Sequence, residues 1–211
     1  VHTHGGYQVH IVSMARWCFG LKPSDVWWTT SDIGWIVGHS YQVYAPLVIG
    51  CTSVIFEGAL DYPEPESTGR AGVEESGATG IFTSPTAMRA LMRYGDGPLA
   101  SVDHSGVQRI FSAGEVLNPP AWEWLQHTIL KNRIPAIDHM WQTETSGPAF
   151  GNPYGLGILP IKPGAATPPL PGTDAAAVRN AGTPASYTHL TLPTLSRVQV
   201  SVGGVPSTKH T

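Results

Sequence analysis

Long apolar runs are missing from this 211-residue chain: none approaches the ~20 residues that a membrane-spanning helix needs, and no charged n-region leads an apolar segment. A basic excess is missing as well. With 12 Lys+Arg against 15 Asp+Glu and a formal net charge of -3, neither nucleic acid nor an anionic membrane has electrostatic support as a partner. Cysteine is scarce. Cys18 and Cys51 lie far apart in apolar surroundings, which excludes a disulfide framework and reads as reduced, buried thiols in a cytoplasmic setting. No GxGxxG follows a strand, so a dinucleotide oxidoreductase loses its main support. Ser40 in GHS and Ser84 in TSP lack the GxSxG context of a hydrolase elbow. His2, His4 and His10 lack zinc spacing and have no Cys to pair with, so they read as surface or core histidines. A start methionine is also lacking. The opening VHTHGGY runs directly into an amphipathic stretch, and a segment upstream is expected.

What is present suits a small-molecule enzyme domain, or part of one. The chain is 41% hydrophobic and 13% charged, and is long enough to bury a core. Short β-branched or aromatic runs recur at 26–30, 52–56, 79–83, 107–112 and 135–140, alternating with stretches of helical length at 7–19, 39–50, 84–94 and 120–130. That alternation predicts an α/β fold with a mainly parallel sheet and crossover helices. Asn118, Pro119 and Pro120 mark the start of the last helix. A further crossover helix is expected at 66–75, although Gly69 and Gly72 each cost it roughly 1 kcal/mol relative to Ala. The Gly- and Pro-rich stretch 153–171 suits turns and β structure. From Ser186 the tail has no Asp or Glu and continues no earlier pattern. It resembles translated sequencing-adapter sequence, and the domain is expected to end at 185, with 186–211 foreign to it. Trp27, Trp28, Trp122 and Trp124 read as core.

The most specific segment is IDHMWQTETSG at 137–147. A strand ending in Thr143, Glu144 and Thr145 presents hydroxyls and a carboxylate at the sheet edge where open α/β sheets bind ligands. A hydroxyl can bond a phosphate oxygen, and a carboxylate can hold Mg²⁺ that bridges phosphates. A bare TET would be only a polar turn capping a strand. Eleven residues in this order resemble the motif of the acyl-adenylate-forming family of AMP-forming acyl-CoA synthetases, written WWQTETGG in its acetate-type members. Met140 replaces the first Trp and Ser146 the first Gly.

Other segments then fall into the family's order over roughly residues 1 to 184. SAGEVLNPPAW at 112–122 is similar to its adenine-binding turn, and DIGWIVGHSY at 32–41 and FEGALDYP at 56–63 match two more segments. The opening VHTHGGY resembles the residues immediately after the family's phosphate loop. Alone, AGE carries little weight. A glycine does let backbone approach a flat ring, and an apolar neighbour can cover the ring face.

The resemblance implies part of the large N-terminal domain of an adenylate-forming enzyme. It implies ATP, Mg²⁺ and coenzyme A as cofactors, a small carboxylic acid as substrate, and no nucleic-acid or membrane partner. By motif position, Gly114, Glu115 and Val116 lie against adenine, and Asp138, His139, Met140, Trp141, Gln142 and Thr143 form the nucleotide wall. Thr143 serves the α-phosphate and Glu144 the metal. Ile36, Val37, Ala113 and Trp141 line the acyl pocket, while Val37 and Asp61 lie by coenzyme A. A Trp at the pocket's end points to acetate or propionate, because close-packed interiors leave no room for extra methylenes. Acetate-type members tend to carry Thr, Val and Asn at the positions of Val37, Ala113 and Asp61. The space freed at Ala113 makes propionate a serious competitor to acetate. The family's phosphate loop, ribose-binding segment and lysine-bearing C-terminal domain are not found here, so the chain alone is expected to be inactive. Two rivals stay open: a ligase for aryl or longer acids, including one that loads a carrier protein, and a non-catalytic nucleotide-binding module.

Overall fold

The computed structural model describes residues 2–177 and 198–202, with side chains to 174. Helix α1 (His4–Trp17) begins earlier than its apolar pattern suggested, because Thr3 caps it and accepts a hydrogen bond from the Gly6 amide at 3.2 Å. Strand β1 (Val26–Thr29) leads into α2, wound as a π-helix over Gly38–Tyr44 and as an α-helix over Ala45–Ile49. Gly50 ends α2 at φ 82, a left-handed cap open to glycine without a Cβ penalty. After β2 (Thr52–Val54), the crossover α3 runs as Pro65–Gly69 and then Arg70–Glu75.

Both of the glycines that argued against α3 have a packing reason. A Cβ on Gly72 would fall 2.2 Å from the Trp28 ring, and one on Gly69 would fall 2.9 Å from Val102 Cγ2. The helix gives up propensity so that the indole can lie against its backbone. Then come β3 (Gly80–Thr83), α4 (Pro85–Met92) and the short α5 (Gly97–Ala100), which the sequence pattern had not indicated. Ser84 caps α4 by accepting from the Ala87 amide at 3.2 Å. Strand β4 (Arg109–Ala113) precedes α6 (Pro119–Glu123, continuing as Trp124–Ile129), which starts with Asn118 at its N-cap and a proline in its first turn. Strand β5 (Ala136–Trp141) and a single 3₁₀ turn (Thr143–Thr145) lead to β6 (Pro148–Phe150).

The sheet order is β2-β1-β3-β4-β5-β6. All its pairs are parallel except β5–β6, which is antiparallel and which the sequence pattern did not indicate. One face carries Trp28, Ile81 and Ile110 against Met88, Leu91, Leu125 and Ile129. The other packs Phe19 on the rings of Trp27, Phe82, Phe111 and Tyr41. Trp27, Trp28 and Trp124 are buried as expected, and Trp122 is partly so. Cys18 and Cys51 are free and buried, and burial pushes the Cys18 thiol up to about 12.

The chain divides into two compact units, 1–168 and 169–211. Residues 153–168 carry turns and no strand. In the second unit, β7 (Thr173–Ala177) pairs antiparallel with β8 (Val198–Val202). Apart from β8, the tail expected to be foreign lies outside the described residues.

Candidate active site

At the carboxyl ends of β1, β3, β4 and β5 lies a cleft of about 600 Å³, the position at which open parallel sheets bind ligands. Thr30, Asp32, Ile36 and Val37 enter it from the exit of β1, and Thr83, Ser84 and Thr86 from the exit of β3. Ala113, Gly114 and Glu115 follow from β4, and Trp141, Gln142 and Thr143 from β5. All four residues expected at an acyl pocket therefore share one cavity with two of the three expected beside adenine. Trp141 stacks on Phe82 at 6.1 Å between ring centroids and tilts against Tyr41 at 5.4 Å, so the indole is fixed by two rings beneath it.

The turn after β5 is held by its own side chains. Thr145 Oγ1 accepts from the Gln142 amide at 3.0 Å and lies 2.8 Å from the carbonyls of Gln142 and Gly147. Ser146, where the family motif has glycine, sits at φ 58 and carries the left-handed strain itself. His2 Nε2 lies 2.7 Å from the Glu144 carbonyl. With the backbone tied down, Thr143 and Glu144 are left exposed, and the Glu144 carboxylate joins none of the ion pairs among the described residues. Among those residues no group of three or more His, Cys, Asp or Glu is gathered to hold a metal. A lone free carboxylate suits Mg²⁺, which one or two carboxylates hold together with substrate phosphates.

Several expected residues lie off the cleft wall. Val116 is exposed, and Asp61 is exposed with its Oδ2 accepting from the Tyr94 hydroxyl at 3.0 Å. Asp138 accepts from Ser112 Oγ at 3.2 Å and from the Leu117 amide at 3.1 Å. Burial pushes its carboxyl up to about 6. Met140 is half-buried outside the lining, and His139 is fully buried against Phe19 and Phe111. Thr30, Ser31, Thr83 and Thr86 line the cleft without having been singled out; their place at or just past the ends of β1 and β3 was the available signal.

Neither ring nitrogen of His139 makes a well-formed hydrogen bond, and a Cβ on Gly151 would stand 2.1 Å from its ring. Burial pushes this imidazole down to about 3, against a weaker opposing pull from the Asn152 backbone. The folded state thus refuses a proton that the unfolded state takes near pH 6.5, so His139 should remove stability as pH falls from about 6.5 to about 3. Asp138 works the other way, because its folded carboxyl binds a proton near 6 that the unfolded one binds near 3.8, adding stability as pH falls through that window. Between pH 7 and pH 4 the two largely offset, leaving an expected net loss of about 1 kcal/mol. Urea unfolding between pH 7 and pH 4 checks it. His139→Thr should flatten the acid limb and Asp138→Asn should steepen it, and identical limbs in all three proteins would rule out both assignments.

Residues 1–187 match the family model described as AMP-binding enzyme. The chain belongs to the AMP-binding enzyme family. Within that family it is 41% identical over 184 residues to an acetyl-coenzyme A synthetase of Pyrobaculum arsenaticum, covering 87% of this chain and 27% of that protein. It is 46% identical over 172 residues to one of Rubrobacter xylanophilus, covering 82% and 26%. The chain therefore spans about a quarter of the length of these AMP-binding relatives. The crystal structure of a Brucella canis acyl-CoA synthetase superposes with a TM-score of 0.74 at 30% identity, over 85% of this chain and 31% of that one. An anthranilate CoA ligase crystallised with anthranoyl-AMP shares the fold, with a TM-score of 0.74 at 22% identity over 88% and 34%. Among the described residues no helix is long and apolar enough to cross a membrane.

Proposed function

We propose that this chain is the nucleotide- and acyl-binding part of an AMP-forming acid–CoA ligase that activates acetate or propionate in the cytoplasm. The acid's carboxylate oxygen attacks the α-phosphorus of ATP, a P–O bond breaks and pyrophosphate leaves. The thiol of coenzyme A then attacks the acyl carbon, and AMP leaves as the thioester forms. The observation that supports this reading is the single cleft that Ile36, Val37, Ala113 and Trp141 line together with Gly114, Gln142 and Thr143. A small acid and a nucleotide can meet there. That proximity converts a bimolecular attack into a local one, so positioning supplies much of the rate.

In this reading the Thr143 hydroxyl donates to the α-phosphate, and the Glu144 carboxylate helps hold Mg²⁺, which neutralises phosphate charge when bound. The Gly114–Glu115 backbone takes the adenine edge. In this reading Val37 and Asp61 lie by coenzyme A, with the Tyr94 hydroxyl donating to Asp61 at 3.0 Å. Domain limits of 1–185, with 186–211 outside the enzyme, belong to the same proposal.

Glu144→Gln in the full-length protein should slow acetate-dependent ATP–pyrophosphate exchange at least tenfold, equivalent to about 1.4 kcal/mol of transition-state stabilisation. An unchanged exchange rate would remove Glu144 from the chemistry. Exchange with benzoate or long-chain acids and none with acetate would favour the ligases for larger acids.

A further inference from the structure

Resting on the ligase reading above, the geometry points to Tyr41 as a positioning residue that couples the acyl pocket to the phosphate and metal turn: its ring backs the indole of Trp141, and its hydroxyl seats the backbone at Gly147. Tyr41 lies outside the cleft lining, so it acts through those two neighbours.

The turn at 143–147 fixes its own shape but has little outside support. Thr145 Oγ1 closes it on Gln142 and Gly147, and β5 and β6 hold its two ends. Beneath it, the His2 bond to the Glu144 carbonyl is exposed, and Ser40 Oγ reaches the Ser146 carbonyl only at 3.5 Å. Gly147 has the buried support. A Cβ there would fall 2.8 Å from His10 Nε2 and 2.9 Å from Tyr41 Oη. Gly147 is not among the glycines with positive φ, so close approach, and not backbone conformation, is what calls for glycine.

Of the two groups under Gly147, Tyr41 is the more tightly held. His10 is half-buried on α1, whereas Tyr41 is fully buried, with the rings of Phe19 at 4.7 Å, Trp141 at 5.4 Å and Phe82 at 5.9 Å around it. The Tyr41 hydroxyl has no hydrogen-bond partner among the described residues. A buried hydroxyl without a partner costs stability, and phenylalanine would keep all three ring contacts. What the oxygen adds is reach. It extends the ring to the turn and sets the height at which Thr143 and Glu144 meet phosphate and metal. Because the same ring backs Trp141, one side chain holds the acid and the α-phosphate in register.

The test uses the full-length protein, MgATP titrated without acid, and Tyr41→Phe, Gly147→Ala and the two combined. Tyr41→Phe should raise the Kd for MgATP about tenfold and speed amide exchange at 144–146 about fivefold, a local loosening. Its KM for acetate should stay within about twofold of wild type, since the ring behind Trp141 remains. Its Tm should be unchanged or raised, because the lost hydroxyl strands no partner. Gly147→Ala should raise the Kd about tenfold or more, as the added methyl meets the hydroxyl. In the double variant the methyl takes the space that the hydroxyl vacates and the half-buried His10 ring gives way, so the Kd should return to within about threefold of wild type. A wild-type protein that binds no MgATP would sink the ligase reading, and this inference with it. Wild-type affinity in Tyr41→Phe would sink the inference alone. So would additive losses in the double variant, a rise in KM for acetate as large as that in Kd, or a fall in Tm that tracks the lost affinity.

Discussion

In the full-length ligase proposed above for acetate or propionate, replacing Trp141 with glycine should turn the preference from short acids toward longer ones. In the proposed reading the indole ends an acyl pocket whose other walls are Ile36, Val37 and Ala113; all four line one cleft, and the indole packs on Phe82 and Tyr41, which hold it in place. Its removal opens room for several methylenes, each contributing about 0.8 kcal/mol when buried. Hexanoate, four methylenes longer than acetate, would then gain on the order of 3 kcal/mol relative to it, a factor above a hundred. Acetate should lose in absolute terms, because its methyl would face a cavity or water and its carboxylate would be held less firmly for attack. The measurement is kcat/KM for acetate, propionate, butyrate and hexanoate in both proteins. A ranking that does not move would show that the pocket ends elsewhere.

Arg109→Met should cost about 3 to 5 kcal/mol of stability, the usual penalty for breaking a buried ion pair on one side. Arg109 Nη2 lies 2.5 Å from Asp25 Oδ2, with side-chain exposures of 3% and 7%, and Arg109 Nε donates to the Phe19 carbonyl at 2.8 Å. Asp25 also accepts from the Lys22 amide at 2.7 Å and from Thr79 Oγ1 at 2.8 Å, so its carboxylate cannot turn toward solvent when the guanidinium goes. Adding Asp25→Asn, which removes the stranded charge and keeps an acceptor, should recover more than half of the loss. Denaturant midpoints for the two single variants and the double variant decide this. A loss under about 1 kcal/mol for Arg109→Met would mean that water reaches the pair.

What could be read from the chain was local. Asn118 and its two prolines marked the start of one helix, and the stretches 84–94 and 39–50 located two more, which the structure begins at Ser84–Pro85 and ends at Gly50. The β-branched and aromatic runs located all five parallel strands. The IDHMWQTETSG segment was legible because order and residue type together are rare, and the family membership it implied is matched over residues 1–187. What could not be read was whatever depends on direction or distance. A motif names 138 to 143 as one wall, yet along β5 successive side chains point to opposite faces, so His139 and Trp141 share a face with Phe111 and Phe82 while Asp138 turns toward Ser112. Asp25 and Arg109 meet only after β1, β3 and β4 have assembled, and no local pattern relates them. Gly69 and Gly72 look like helix breakers until the Trp28 ring and Val102 occupy the space they leave.

The one antiparallel pairing in the main sheet bears on the order in which the molecule assembles. Every parallel neighbour is remote in sequence: Trp27 lies beside Gly80, Gly80 beside Arg109, and Ile110 beside Ala136. Met140, by contrast, faces Phe150 across the single turn that carries Thr143 and Glu144. Loop-closure entropy makes the remote pairings slow and the hairpin fast. The arm that bears the candidate catalytic pair can therefore form early, while the pocket it serves, drawn from three distant strand ends, waits on the highest-contact-order steps of folding.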